Sequence, residues 1–417
     1  MNWVFFCCFT FVFYGNRVTT FVIPGFSGLP EKVEDFTNPQ DKLVHVHSVW
    51  RHGERNPAHM FPINDLNTPA DFPSGFGQLT NNGIKQLHTL GRSFQSKYVK
   101  SLNFLSADKI NTEVYARSTD PDRALISAMS FFSGLFTNST ANASLSSFKF
   151  APVPIHSQAP ADDPLQFLGF ECQRKNLLWD IVHKSNAIGA MLNNSKTLLD
   201  EISQFFQIPI NFNQISAIYD TTFFETLLGL PIPSWIEPNK PELYELTYKY
   251  FAYLWGFLPF PNDLPANLQQ ELKKISSGFV LSEITDRMAL KIKCEKQVGT
   301  PTKECEAIKT QKFYGYSGHD ITQISLFLGL GYQNFFVPSV GSAIVLELWE
   351  NSDYNSTNLV LEDQYYVKIY FYENSSVKVP TYIGCPGNKG CPISSLTNKA
   401  ALIRPTPNLK AFCQQPL

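Results

Sequence analysis

The sequence predicts an α/β fold, a sheet domain assembled from both ends of the chain with a mostly helical segment inserted between them. Three observations carry that expectation. Strand-like apolar runs alternate with helical patterns over residues 42–136, apolar residues recur at helical intervals from about residue 163 to 286, and strand-like runs return from residue 312. With 417 residues, 43% of them hydrophobic, the chain can bury a full core as one large domain or two coupled ones.

Residues 42–50 (KLVHVHSVW) read as a buried strand that runs into RHGERNP, where Gly53 and Pro57 stop its continuation. Residues 79–98 carry apolar positions at helical spacing, with Thr80 as the cap. Residues 112–115 read as a short strand and residues 122–136 as a helix. In the middle of the chain, runs such as LLWDIVHKSNAIGAMLNN are helical, and Pro-rich stretches such as PIPSWIEPNKP break the helices. A strand is expected again at residues 312–316 and a helix at 320–328. Two further strands, 343–350 and 365–372, have lengths that suit a hairpin arm.

The first twenty residues hold an uncharged apolar run (MNWVFFCCF) that gives way to polar residues. The run is shorter than the roughly 20 apolar residues of a membrane span and reads as a secretory signal peptide over residues 1–20, cleaved between Gly15 and Thr20; a buried first strand or helix is the alternative. The remaining organisation is an α/β segment over 21–160, a helical cap over 161–295 and a second α/β segment with a C-terminal tail over 296–417. Of eight cysteines two lie in the leader, leaving Cys172, Cys294, Cys305, Cys385, Cys391 and Cys413, an even set without metal-type CxxC spacing. Such a set reads as disulfides in an oxidising compartment. Sequons at Asn138, Asn142, Asn193, Asn355 and Asn374 point the same way, so the expected product is a secreted glycoprotein without a membrane span.

A formal net charge of -2 gives no reason to expect nucleic acid or an anionic membrane as partner. Any anion must therefore be bound by cations gathered locally. Arg51-His52-Gly53-Glu54-Arg55 is such a gathering, set just after a strand's C-terminal end, where open α/β sheets bind ligands. Arginine presents a rigid, permanently charged fork matched to phosphate oxygens, and an imidazole attacks phosphorus only through an unprotonated nitrogen.

RHGERNP resembles the RHGxRxP signature of the histidine acid phosphatase family, in its animal branch of prostatic and lysosomal types. LTNNGIKQLHTLG, RSTDPDRALISA, PVPIHS, IYDTTFFE and YSGHDIT resemble family segments in kind and order, and the tail up to Cys413 continues the likeness. The resemblance thus runs from about residue 42 to 413. It implies a phosphoglycerate-mutase-like mixed sheet with helices on both faces and an inserted cap. It implies His52 as the phosphohistidine nucleophile, Arg51, Arg55 and Arg117 as the phosphate clamp, His319 as a further phosphate ligand and Asp320 as proton donor. Arg123 and Asp120, in the segment of Arg117, read as scaffold charges. His45, His47 and His59 make no metal-ligand arrangement, and neither metal nor cofactor is expected.

The resemblance further suggests the bridges Cys172–Cys413 and Cys385–Cys391, with Cys294–Cys305 as a local replacement for a family pair whose positions hold Phe224 and Ala343 here. Glu54 stands where the family commonly has Asp. The expected substrates are small-molecule or protein phosphate monoesters, the family allows a homodimer, and the lysosomal lumen is the other address it suggests. Two further readings use the same fold: a phytase-like inositol polyphosphate phosphatase, and an inactive secreted binding protein. An acidic optimum is expected, because Asp320 must be protonated to act and Asp ordinarily titrates near pH 3.9.

Overall fold

The computed structural model describes residues 38–137, 151–261, 264–352, 364–374, 376–378, 385 and 390–417. The expected leader and the sequons at Asn138, Asn142 and Asn355 lie outside these residues, whereas Asn193 and Asn374 are exposed.

The chain begins with β1 (Lys42–Arg51), α1 (Asn81–Phe94), α2 (Ile110–Glu113), β2 (Val114–Ser118), α3 (Asp122–Leu135) and β3 (Ile155–His156). Seven helices follow: α4 (Gln173–His183), α5 (Asn186–Asn194), α6 (Lys196–Phe206), α7 (Phe212–Leu228), α8 (Ile236–Trp255), α9 (Leu268–Lys273) and α10 (Phe279–Glu295). The C-terminal part contains α11 (Lys303–Thr310), β4 (Phe313–Gly318), α12 (Asp320–Gly329), β5 (Ala343–Glu350), β6 (Tyr365–Glu373), β7 (Ser376–Lys378), β8 (Cys391–Pro392), α13 (Ile393–Ile403) and α14 (Leu409–Gln414).

The strands form one mixed sheet in the order β3-β2-β4-β1-β5-β6-β7, with β8 on β6. β1, β2 and β4 run parallel, and β5 joins β1 in antiparallel register from Trp50↔Ala343. β5 and β6 were expected as an arm. They pair antiparallel as anticipated but continue the main sheet, because β5 is apolar on both faces and buried along its length. β2 also starts later than expected, since residues 110–113 form the short helix α2.

Helices cover both faces. On one, α1 and α3 pack with Leu87, Phe94, Phe131 and Phe132 against Val46, Trp50 and Phe313. On the other, α10, α12 and α13 bring Leu281, Ile284, Leu326 and Leu396 against Val49, Tyr316 and Ile344. The helices from α4 to α9 gather a separate apolar core of Val182, Ile202, Phe206, Leu246 and Trp255, closed by Ile324, Leu328 and Phe335 from the sheet layer. All three expected cysteine pairs are bridged: Cys172–Cys413, Cys294–Cys305 and Cys385–Cys391.

Candidate active site

Three parallel strands end together. Arg51 and His52 leave β1, Thr119 follows β2, and His319 follows β4, so their side chains meet at one edge of the sheet. The His52 backbone is fixed on both sides: its N–H donates to the Gly318 carbonyl at 2.9 Å, and its carbonyl accepts from Gly341 at 3.0 Å. Beneath it α1 approaches so closely that a Cβ on Gly53 would stand 2.3 Å from the Gly83 carbonyl oxygen. Glycine is required there by space alone. Glu54 turns away from the cluster and accepts from the Thr80 hydroxyl at 2.6 Å and the Asn82 amide at 2.8 Å. Its longer side chain therefore secures the start of α1, where Thr80 also caps the Gly83 N–H at 3.1 Å.

The His52 Nδ1 lies 2.8 Å from the Gly53 carbonyl oxygen, which can only accept. Nδ1 must therefore carry the hydrogen, and Nε2 keeps its lone pair. Burial, together with Arg55, Arg123, Arg51 and His319, holds the imidazole well below its ordinary pKa, so the nucleophilic form persists into acid. His319 stands edge-on to it, with ring centroids 5.5 Å apart, and shares a 3.0 Å hydrogen bond with the Thr119 hydroxyl. Burial and the nearby Arg123 lower its pKa to about 3.

Arg51, buried, pairs with the Asp320 carboxylate at 2.7 Å and donates to the Pro338 carbonyl. Burial pushes the Asp320 carboxyl up, but Arg51, His319 and the Ile321 N–H pull harder, and the group is held below its ordinary value. Arg55 forms a two-pronged pair with Asp220 at 2.5 and 3.3 Å, and its guanidinium lies 3.7 Å from the ring centroid of Phe224. Phe224 thus fills space beside the Arg55 guanidinium, while Ala343 opens β5 in the sheet.

The structure gathers His52, Arg51, Arg55, His319 and Asp320, but Arg117 does not join them. Strand alternation turns Arg117 toward the face covered by α10, where it binds Asp163 at 2.7 Å and Glu283 at 3.3 Å. Its place is taken by Arg123, on the first turn of α3, which lines the same cavity as His52 and His319. Burial and the neighbouring Arg55 lower its pKa to about 10, against the pull of the Asp220 and Asp320 carboxylates. Among the described residues it forms no ion pair, and its buried Nε has no hydrogen-bond partner. The signal for Arg123 was present in RSTDPDR, where the second arginine falls on the helix that starts at the sheet edge. Asp220 was missed too, although IYDTTFFE contained it.

The cavity has a volume of about 260 Å³. Its cationic floor of Arg55 and Arg123 gives way to Tyr219, Phe251, Trp255, Phe335 and Leu168. The arrangement can grip a small dianion and present one unprotonated ring nitrogen to it.

Comparison with known proteins agrees with this chemistry. The chain matches the histidine phosphatase superfamily (branch 2) over residues 42–372. It is 28% identical to prostatic acid phosphatase of Mus musculus over 357 residues, covering 84% of both chains. It is 27% identical to lysosomal acid phosphatase of Bos taurus over 355 residues, covering 84% of this chain and 75% of that one. Among solved structures, the apo form of Hafnia alvei phytase aligns with a TM-score of 0.58 at 16% identity, covering 91% of this chain and all of that one, which speaks to the fold alone. The chain therefore belongs to the histidine phosphatase superfamily, in the animal branch of the histidine acid phosphatases, and is a phosphatase enzyme.

Proposed function

We propose that this phosphatase is a secreted acid phosphatase that hydrolyses phosphate monoesters through a phosphohistidine on His52, with Asp320 as proton donor. The observation that carries the reading is the convergence of Arg51, Arg55 and Arg123 on a histidine whose Nδ1 is tied to the Gly53 carbonyl. Phosphoryl transfer needs little besides positioning and charge on the equatorial oxygens, and three guanidinium groups supply both. The His52 Nε2 lone pair forms the P–N bond as the P–O bond to the alcohol breaks, and the departing oxygen takes the Asp320 proton. A water then gives its proton to the Asp320 carboxylate while its oxygen attacks phosphorus. The P–N bond breaks, inorganic phosphate leaves, and His52 regains its lone pair.

The cavity supports small monoesters with apolar or aromatic alcohols over inositol polyphosphates. Beyond the arginine floor its walls are aromatic and aliphatic, and among the described residues no lysine lines it to neutralise additional phosphates. An inactive binding role fits less well, because nucleophile, acid and cations are all retained. Secretion is supported by the signal-like leader and three disulfides, with the lysosomal lumen as the other oxidising-route address. The test is acid-quench trapping of a radiolabelled phosphoenzyme, comparing the wild type with His52→Ala. Label that survives the substitution assigns the nucleophile elsewhere.

A further inference from the structure

One wall of the cavity is made by Gln166, Leu168 and Gly169, which sit between β3 and α4 in a stretch with little regular structure of its own. Such a segment ordinarily drifts unless something ties it down. Here it is tied at both ends by buried cations. At its start the Asp163 carboxylate, fully buried, accepts from Arg117 at 2.7 Å and from the Leu165 N–H at 3.1 Å. Arg117 is itself held by Glu283, which accepts from the Tyr316 hydroxyl at 2.9 Å. At its end the buried Lys175 ammonium donates to the carbonyls of Phe167 at 2.9 Å, Leu168 at 3.3 Å and Phe170 at 2.6 Å.

Among the described residues no carboxylate contacts that ammonium; the carbonyls satisfy it, beside the rings of Phe167 at 5.4 Å and Trp179 at 5.1 Å. A buried cation compensated only by main-chain dipoles is expensive, and its geometry matches an anchor for a chain segment. Burial lowers the Lys175 pKa to about 8, so the anchor is charged throughout the acid range. Next to it, Cys172 is bridged to Cys413, closing the same end covalently. The middle of the segment reports to the reacting groups. The Leu165 carbonyl accepts from the Thr322 hydroxyl at 3.0 Å, and that hydroxyl accepts from the His319 N–H at 3.1 Å.

We propose that Arg117, Asp163 and Lys175 are positioning residues that hold segment 163–170 as the specificity wall of the cavity, selecting the leaving group without touching phosphate. The proposal rests on the reading of this cavity as the phosphatase site, and it gives Arg117 a role other than the phosphate clamp. It acts on substrates large enough to reach Gln166, Leu168 and Gly169, namely monoesters of aromatic or bulky apolar alcohols.

The experiment compares binding of inorganic phosphate with binding of a non-hydrolysable aryl phosphonate, alongside kcat and KM for an aryl phosphate and for glycerol phosphate. The proteins are wild type, Lys175→Met, Asp163→Asn, Arg117→Gln and Arg117→Lys. Lys175→Met and Asp163→Asn are expected to weaken aryl phosphonate binding about tenfold and to raise KM for the aryl ester equally. Phosphate affinity and kcat should stay within about twofold, with Arg117→Lys recovering part of what Arg117→Gln loses. Equal losses for phosphate and phosphonate, or unchanged selectivity in a variant with wild-type Tm, overturn the proposal. A wild type that binds both ligands but forms no phosphoenzyme sinks the catalytic reading instead, and the phosphonate-to-phosphate ratio still decides the wall.

Discussion

The Asp320 carboxylate and the buried Arg51 guanidinium meet at 2.7 Å, so the group assigned as proton donor is locked to a cation before substrate arrives. In the free enzyme that pair favours the ionised carboxylate, as the lowered pKa of Asp320 states. In the proposed mechanism a phosphate dianion reverses this. It draws on the charge of Arg51 and places negative charge beside the carboxyl, and both effects raise the Asp320 pKa.

Activity on alkyl monoesters is therefore expected to rise as pH falls, because the lowered pKa leaves Asp320 ionised until strongly acid conditions or bound phosphate protonate it. Asp320→Asn should cut turnover of glycerol phosphate by about 10²–10⁴-fold and that of an activated aryl phosphate by much less. Steady-state kinetics on both substrates across the acid range provide the check. Equal losses would remove Asp320 from the acid role.

Arg123 is charged and half-buried, and among the described residues it has no carboxylate of its own, while Arg51 and Arg55 each have one. A partly desolvated cation without a paired carboxylate costs folding stability. Arg123→Gln should accordingly raise Tm while weakening competitive inhibition by inorganic phosphate about tenfold or more. Calorimetry and inhibition constants on one preparation decide it. A variant that loses both stability and phosphate affinity would contradict the assignment.

The contrast between Arg117 and Arg123 marks where sequence reasoning stopped. The β1 strand, the Thr80 cap and the helix after His319 were legible because periodicity and capping chemistry are local. His52, Arg51, Arg55, His319 and Asp320 sit at a strand's C-terminal end or within four residues of it, so motif position was enough to bring them together. Choosing between two arginines six residues apart required knowing which face of β2 is covered by α10, and that is set by packing. The same holds for Asp220, whose helix α7 comes from the middle of the chain, and for β5, whose place beside β1 depends on burial of both its faces.

His45 and His47 point from β1 into the core, fully buried, and among the described residues none of their ring nitrogens has a hydrogen-bond partner. Burial, then Lys291 for His45 and His45 for His47, keep both rings neutral well below pH 6.5. Between those depressed values and about 6.5 the unfolded chain binds protons that the folded chain cannot, so stability falls as pH falls through that window. His45→Leu is expected to lower the pH of acid unfolding. Circular dichroism of wild type and variant from neutral pH downward measures it, and an unshifted midpoint would show that another group sets the acid limit.

Glu225 imposes the opposite slope. It is fully buried on α7, near the Asp65 carboxylate, and burial raises its pKa to about 8. Unfolded, a glutamate ionises near pH 4.5, so between that value and about 8 the folded chain keeps a proton that the unfolded chain releases. Its effect on stability is therefore nil in acid and grows more unfavourable as pH rises through the window. Glu225→Gln, neutral and nearly isosteric, should leave Tm unchanged near pH 4 and raise it by roughly 2–4 °C near pH 8. With the histidines weakening the fold from the acid side and Glu225 from the neutral side, the wild type should be most stable in mildly acid solution. A Tm gain that is the same at both pH values would mean that Glu225 acts through packing and not through its proton.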